Sequence, residues 1–140
     1  MTIKTAIYSY LISQPAIISA VSSRVYPGTV PTSADFPYIA YYIISSESVH
    51  HQRSASAISR TRIQFDCMGS TSLDAEEVSE ALRFSLDGYR GLMSGLDINV
   101  ATKDGDYDDF VSPTDKSQVG VHRRVCDYLI WHYQSVGITN

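Results

Sequence analysis

Residues 60–91 read RTRIQFDCMGSTSLDAEEVSEALRFSLDGYRG, and a change of period inside this stretch decides the fold. Thr61, Ile63, Phe65 and Cys67 alternate with Arg60, Arg62, Gln64 and Asp66, which predicts a strand with one apolar and one polar face. Gly69, Ser70, Thr71 and Ser72 break the alternation. From Leu73 to Tyr89 the pattern becomes helical, with Ala75, Val78, Leu82, Ser85 and Tyr89 on one face and Ala81 and Leu86 beside them. Thr71 or Ser72 is placed to cap the first amides, and Asp74, Glu76 and Glu77 lie where the helix dipole favours anions. Gly88 supplies a left-handed residue just past the last turn.

Upstream, Ile3, Ala6, Ile7, Tyr10 and Leu11 recur at helical spacing, and Pro15 begins a short helical turn through Val21 that continues the buried stripe. Residues 22–37 carry Pro27, Gly28, Pro31 and Pro37 and read as a loop. Residues 38–46 are apolar on both faces, as in a strand covered on both sides. Residues 47–56 read as a long connection holding His50, His51 and Arg53.

Downstream of Gly91 a Gly-rich turn leads to a third strand, where Leu96, Ile98 and Val100 alternate with Asp97, Asn99 and Ala101. Residues 103–118 are polar and acidic and read as a second long loop. A final strand over 119–133 puts Val121, Val125, Leu129, Trp131 and Tyr133 on one face and Cys126, Tyr128 and Ile130 on the other. Its charges Arg123, Arg124 and Asp127 imply that part of it meets solvent or a partner. The expected fold is α+β: an antiparallel sheet of about four main strands with two helices on one face, in the order α-β-β-α-β-β.

At 140 residues the chain fits one domain, 1–140, with a single core. Its 10 Tyr against 4 Phe and 1 Trp fit half-buried surfaces such as subunit contacts, or simply the taste of strands for Tyr. The net charge is -4 and the basic residues are scattered, which speaks against direct affinity for phosphate backbones. No long apolar run or signal-peptide pattern is present, so a soluble, non-secreted, membrane-free protein is expected.

No catalytic, cofactor or metal site emerges. Asp104, Asp106, Asp108, Asp109 and Asp115 mimic a calcium loop, but Asp109 stands where the sharp turn needs Gly and Asp115 where a bidentate Glu is needed. His50 and His51 are adjacent and face opposite ways on an extended chain, while His122 and His132 lie about 33 Å apart on one extended strand. Cys67 and Cys126 lack CxxC spacing and read as buried free thiols. The row Arg60, Arg62, Gln64 and Asp66 is either a solvated sheet face or, with Arg123, a subunit interface.

Several segments together resemble the tail-completion, or tail-to-head joining, proteins of long-tailed phages, which are related in fold to tail terminators. The likeness rests on Arg24 to Gly28 with Pro31, on Pro37, Tyr38 and Ile39, and on Arg62 to Cys67. It continues through Ala81, Leu82, Leu86 to Tyr89 and Gly91, and closes on Asp127 to Trp131 with Tyr133. Met68 departs from it, since an aromatic residue commonly follows the cysteine.

The resemblance implies a non-enzymatic virion protein that forms a ring of six at the head-proximal end of the tail, made in the host cytoplasm. Its partners would be copies of itself, the tail-tube protein and the head connector, with DNA passing through without specific binding. The loops 47–56 and 103–118 are the expected contacts to tube and connector, through His50, His51, Arg53, Asp106, Tyr107 and Asp108. A head-closure or neck protein is the alternative role, and a small ligand-binding or enzymatic α+β domain the alternative class.

Overall fold

The computed structural model describes residues 2–49, 58–112 and 120–133. The strand and helix of the 60–91 stretch form as β3, Ile58–Gly69, and α3, Ser72–Leu86. Before them come α1 (Ile3–Leu11), α2 (Pro15–Val21), β1 (Val25–Pro27) and β2 (Tyr38–Val49). After them come β4 (Gly91–Met93), β5 (Leu96–Val111) and β6 (Val121–Tyr133).

The strands form one 6-stranded sheet in the order β1-β2-β3-β6-β5-β4. β1 pairs with β2 in parallel, Val25 opposite Ile39, and every other pairing is antiparallel. The sheet is therefore mixed and curls into a half-barrel, and α1 reaches both of its edge strands.

This overturns the expected antiparallel sheet of four strands with two helices. Pro15 separates α2 from α1 as a helix of its own, starting with Pro at its first turn where no amide is required. β1 lies inside the stretch read as a loop. Three residues carry no period, and Pro27 fits only because it ends an edge strand. β4 is a similarly short piece, joined to β5 by a turn in which Ser94 and Gly95 both take positive φ (48° and 92°). β5 runs on to Val111 through the acidic stretch that had been read as a loop.

The core lies between the sheet and the helices. Ile7, Leu11, Ile17 and Val21 from α1 and α2, and Val78, Leu82 and Leu86 from α3, close over Tyr41, Ile63, Phe65, Tyr128 and Ile130. Phe65 stands between the rings of Tyr41 and Tyr128, 5.4 Å from each. The Tyr41 hydroxyl donates to the Lys4 carbonyl at 2.5 Å, whereas the buried Tyr128 hydroxyl has no hydrogen-bond partner among the described residues. Burial pushes both phenols well above their ordinary pKa. Cys67 and Cys126 are free and buried on this same face.

The helix α3 is set by its ends as much as by its stripe. Thr71 accepts from the amide of Asp74 at 3.1 Å, satisfying one of the first-turn donors. Gly88 takes φ 82° just beyond the last turn, and its amide donates to the Ala101 carbonyl of β5. Gly69 lets the helix start close to the strand: a Cβ there would stand 2.8 Å from the Ala75 amide nitrogen.

Candidate interaction surfaces

The polar row of β3 points away from the core, and it is knitted to neighbouring strands by ion pairs. Arg60 meets Glu47 of β2 at 2.6 Å. Arg62 reaches Asp104 of β5 at 2.8 Å and Asp127 of β6 at 3.6 Å. Gln64 donates to Asp66 at 2.9 Å. Asp66 is the buried member of this row, with 6% of its surface exposed. Its carboxylate lies 3.6 Å from Arg123, which also pairs with Asp109.

Burial is the larger effect on Asp66 and raises its pKa, although Gln64 and Arg123 both pull it down. Around these charges the outer face presents half-buried Tyr42, Leu129, Trp131 and Tyr133, so it is amphipathic and uncovered by helix. The candidate interface residues Arg60, Arg62, Gln64, Asp66 and Arg123 thus share one sheet face, brought together from β3 and β6.

The other candidate residues divide. Asp106, Tyr107 and Asp108 lie in β5, and so are strand residues instead of loop residues. Asp106 and Asp108 face the helix side, where Arg124 of β6 meets them at 3.0 Å and 2.8 Å. Lys103 also binds Asp106, and this hydrogen bond, with that of Arg124, holds its carboxyl below the usual carboxylate range. Tyr107 faces the opposite side and is 56% exposed. From Asp104 onward β5 is exposed or half-buried on both faces, so none of the described helices buries this end of the β5–β6 ribbon. His50, His51 and Arg53 lie outside the described residues.

The acidic run offers little to a cation. Asp104, Asp106, Asp108 and Asp109 each face an arginine or lysine, and no group of three or more ligating side chains is placed for a metal among the described residues. Sequence reasoning missed this arrangement. The available signal was the pair Arg123 and Arg124, whose opposite faces on a strand match the alternating acids of 104–109.

A second polar feature lies on the helix side near the other end of the sheet. The Thr61 hydroxyl bridges Ser46 at 3.1 Å and the Nε2 of His132 at 2.9 Å. His132 Nδ1 and the Ser59 hydroxyl are buried without hydrogen-bond partners among the described residues.

Among the described residues the chain is thus a curled, mixed six-stranded sheet with three helices, its charged groups joined in strand-to-strand ion pairs. It belongs to the family of the tail completion protein gp17, whose pattern matches residues 5–133. Among solved structures it is similar to a chain of the virion of a native gene transfer agent (GTA) particle. That match has a TM-score of 0.69 at 14% identity and covers 94% of this chain and 95% of the other. A further solved chain matches at a TM-score of 0.44 and 14% identity over 96% of this chain and 92% of that one, too loosely to bear on the fold. No curated protein matches the sequence.

Proposed function

We propose that this phage tail protein acts without enzymatic chemistry, as a ring of six subunits at the head-proximal end of the tail. There it ends the tail tube and joins the tail to the head connector. The observation that carries this reading is the uncovered sheet face of a tail-completion family member. A sheet with Leu129, Trp131 and Tyr133 half-buried on its solvent side gains by burying them against another copy. The row Arg60, Arg62, Gln64 and Asp66 with Arg123 supplies polar matching at that contact.

The ribbon end of β5, with Tyr107, Phe110 and Val111 each about half exposed, is the proposed contact to tube or connector. The arginines of the sheet support passage of DNA without gripping it, because Arg60, Arg62, Arg123 and Arg124 already face carboxylates. Light scattering coupled to size-exclusion chromatography, with and without tail-tube protein, tests the reading. Rings in either condition are expected; a strict monomer in both overturns it.

A further inference from the structure

The solvent pole of α3 carries a surface that the fold itself does not use. Ala75, Val78, Leu82 and Leu86 bury one side of this helix. At 100° per residue, Leu73, Glu77, Glu80 and Phe84 fall on the side diametrically opposite. Phe84 is 81% exposed and Leu73 is 62% exposed, and neither can turn inward from that position. They stand about 16 Å apart along the helix, at 1.5 Å per residue. Between and beside them lie Glu76, Glu77 and Glu80, of which, among the described residues, only Glu80 has a cation, Arg83 at 2.9 Å. The pole is therefore two apolar anchors separated by negative charge that Arg83 offsets only in part.

We propose that this pole docks a basic segment of a different virion protein, one that brings two apolar side chains about 16 Å apart with lysine or arginine between them. The charge balance of the chain argues for a foreign partner over a second copy. Among the described residues, Arg60, Arg62, Arg83, Lys103, Arg123 and Arg124 are already in ion pairs. The other cations of the sequence, Lys4, Arg24, Arg53, Arg90 and Lys116, stand singly along the chain and form no basic run that could meet the three glutamates. The partner must bring the positive charge. Its apolar side chains would cover Leu73 and Phe84, as exposed aromatic anchors are covered at interfaces.

The inference rests on the reading of the chain as a virion protein, and it is independent of whether the chain forms a ring. The test uses particles assembled from a genome in which this chain carries a photoreactive benzophenone side chain at position 84, and, separately, Phe84→Ser or the pair Glu77→Lys and Glu80→Lys. The expected cross-link joins position 84 to another virion protein, within a few residues of a lysine or arginine. Each variant should lower the yield of infectious particles by about tenfold or more, the loss of one interface anchor or its charge match. The thermal unfolding and oligomeric state of the isolated variant proteins should stay unchanged.

A cross-link to a second copy of this chain, no cross-link at all, or full particle yield from both variants overturns the proposal. Loss of the oligomer in Phe84→Ser overturns it too, by making the pole a self-contact. A monomeric wild-type protein that still cross-links to another virion protein would sink the ring and leave this docking surface standing.

Discussion

The Nε2 of His132 on β6 lies 2.9 Å from the Oγ1 of Thr61 on β3, inside the protein, while the other ring nitrogen meets no partner among the described residues. Burial lowers the pKa of His132, so the folded protein favours the neutral ring. A histidine whose folded pKa is depressed contributes stability that is present above its unfolded value near 6.5 and is lost as pH falls through the folded value. The melting temperature should therefore decline from pH 7.5 to pH 5. His132→Gln should flatten that decline, and circular dichroism melts across the range check it.

Arg123 is the cation nearest the buried carboxylate of Asp66, at 3.6 Å. Arg123→Met strands that carboxylate, at a cost of about 2 kcal/mol given that the arginine is itself partly exposed. The double variant Arg123→Met with Asp66→Asn should recover most of the loss, as measured by urea unfolding. Asp66 has a raised pKa, so the folded state takes up its proton more readily than the unfolded chain. The penalty in Arg123→Met should accordingly shrink as pH falls below neutrality toward the acid range.

Arg62 pairs with Asp104 and Asp127 on the sheet's outer face, where each such pair contributes less than about 1 kcal/mol. Arg62→Glu should leave a folded subunit with a modestly lower melting temperature. If the outer face joins neighbouring subunits, the variant loses its ring in light scattering while keeping the circular dichroism spectrum of the wild type. A ring that persists would remove this face from the interface.

Leu82 and Leu73 separate the two sides of α3. Leu82 is fully buried, so Leu82→Ala should cost about 3 kcal/mol through lost contact and a residual cavity. Leu73→Ala, at 62% exposure, should change stability by less than about 0.5 kcal/mol. Chemical denaturation of the two variants side by side measures the difference.

The strand, the turn and the capped helix between Arg60 and Gly91 were legible because each is specified by neighbours in sequence. Thr61, Ile63, Phe65 and Cys67 are all buried, Thr71 caps the start of α3 through its hydroxyl, and Gly88, lacking a Cβ, takes the positive φ just past its end. The stripe that packs α1 was readable for the same reason, with Ala6, Ile7 and Leu11 fully buried. β2 was only half right. Ile39, Ala40 and Tyr41 are covered, but Ile43 and Ile44 are 39% and 52% exposed, because the covering layers end before the strand does.

The candidate surfaces were less legible. Arg60, Arg62 and Gln64 could be assigned to an outward row by alternation alone, yet Asp66 in the same row is buried, since Val125 and Arg123 of β6 close over that end of the face. The exposed pole of α3 was readable in principle, because Leu73 and Phe84 sit opposite the helix's buried stripe.

By itself the sequence determined the elements with a period: a strand whose side chains alternate, helices whose stripes repeat every turn, and the caps that end them. These are local properties, since each depends on residues within a turn or a pleat of one another. Only the tertiary structure decided the rest. β1 is three residues held by parallel pairing with β2, and β5 continues through an acidic run because Arg62, Arg123 and Arg124 on other strands neutralise it. Such strands are stabilised by partners distant in the chain. No single pleat holds both an acid and its arginine: Asp109 and Arg123 are 14 residues apart and Arg62 and Asp104 are 42.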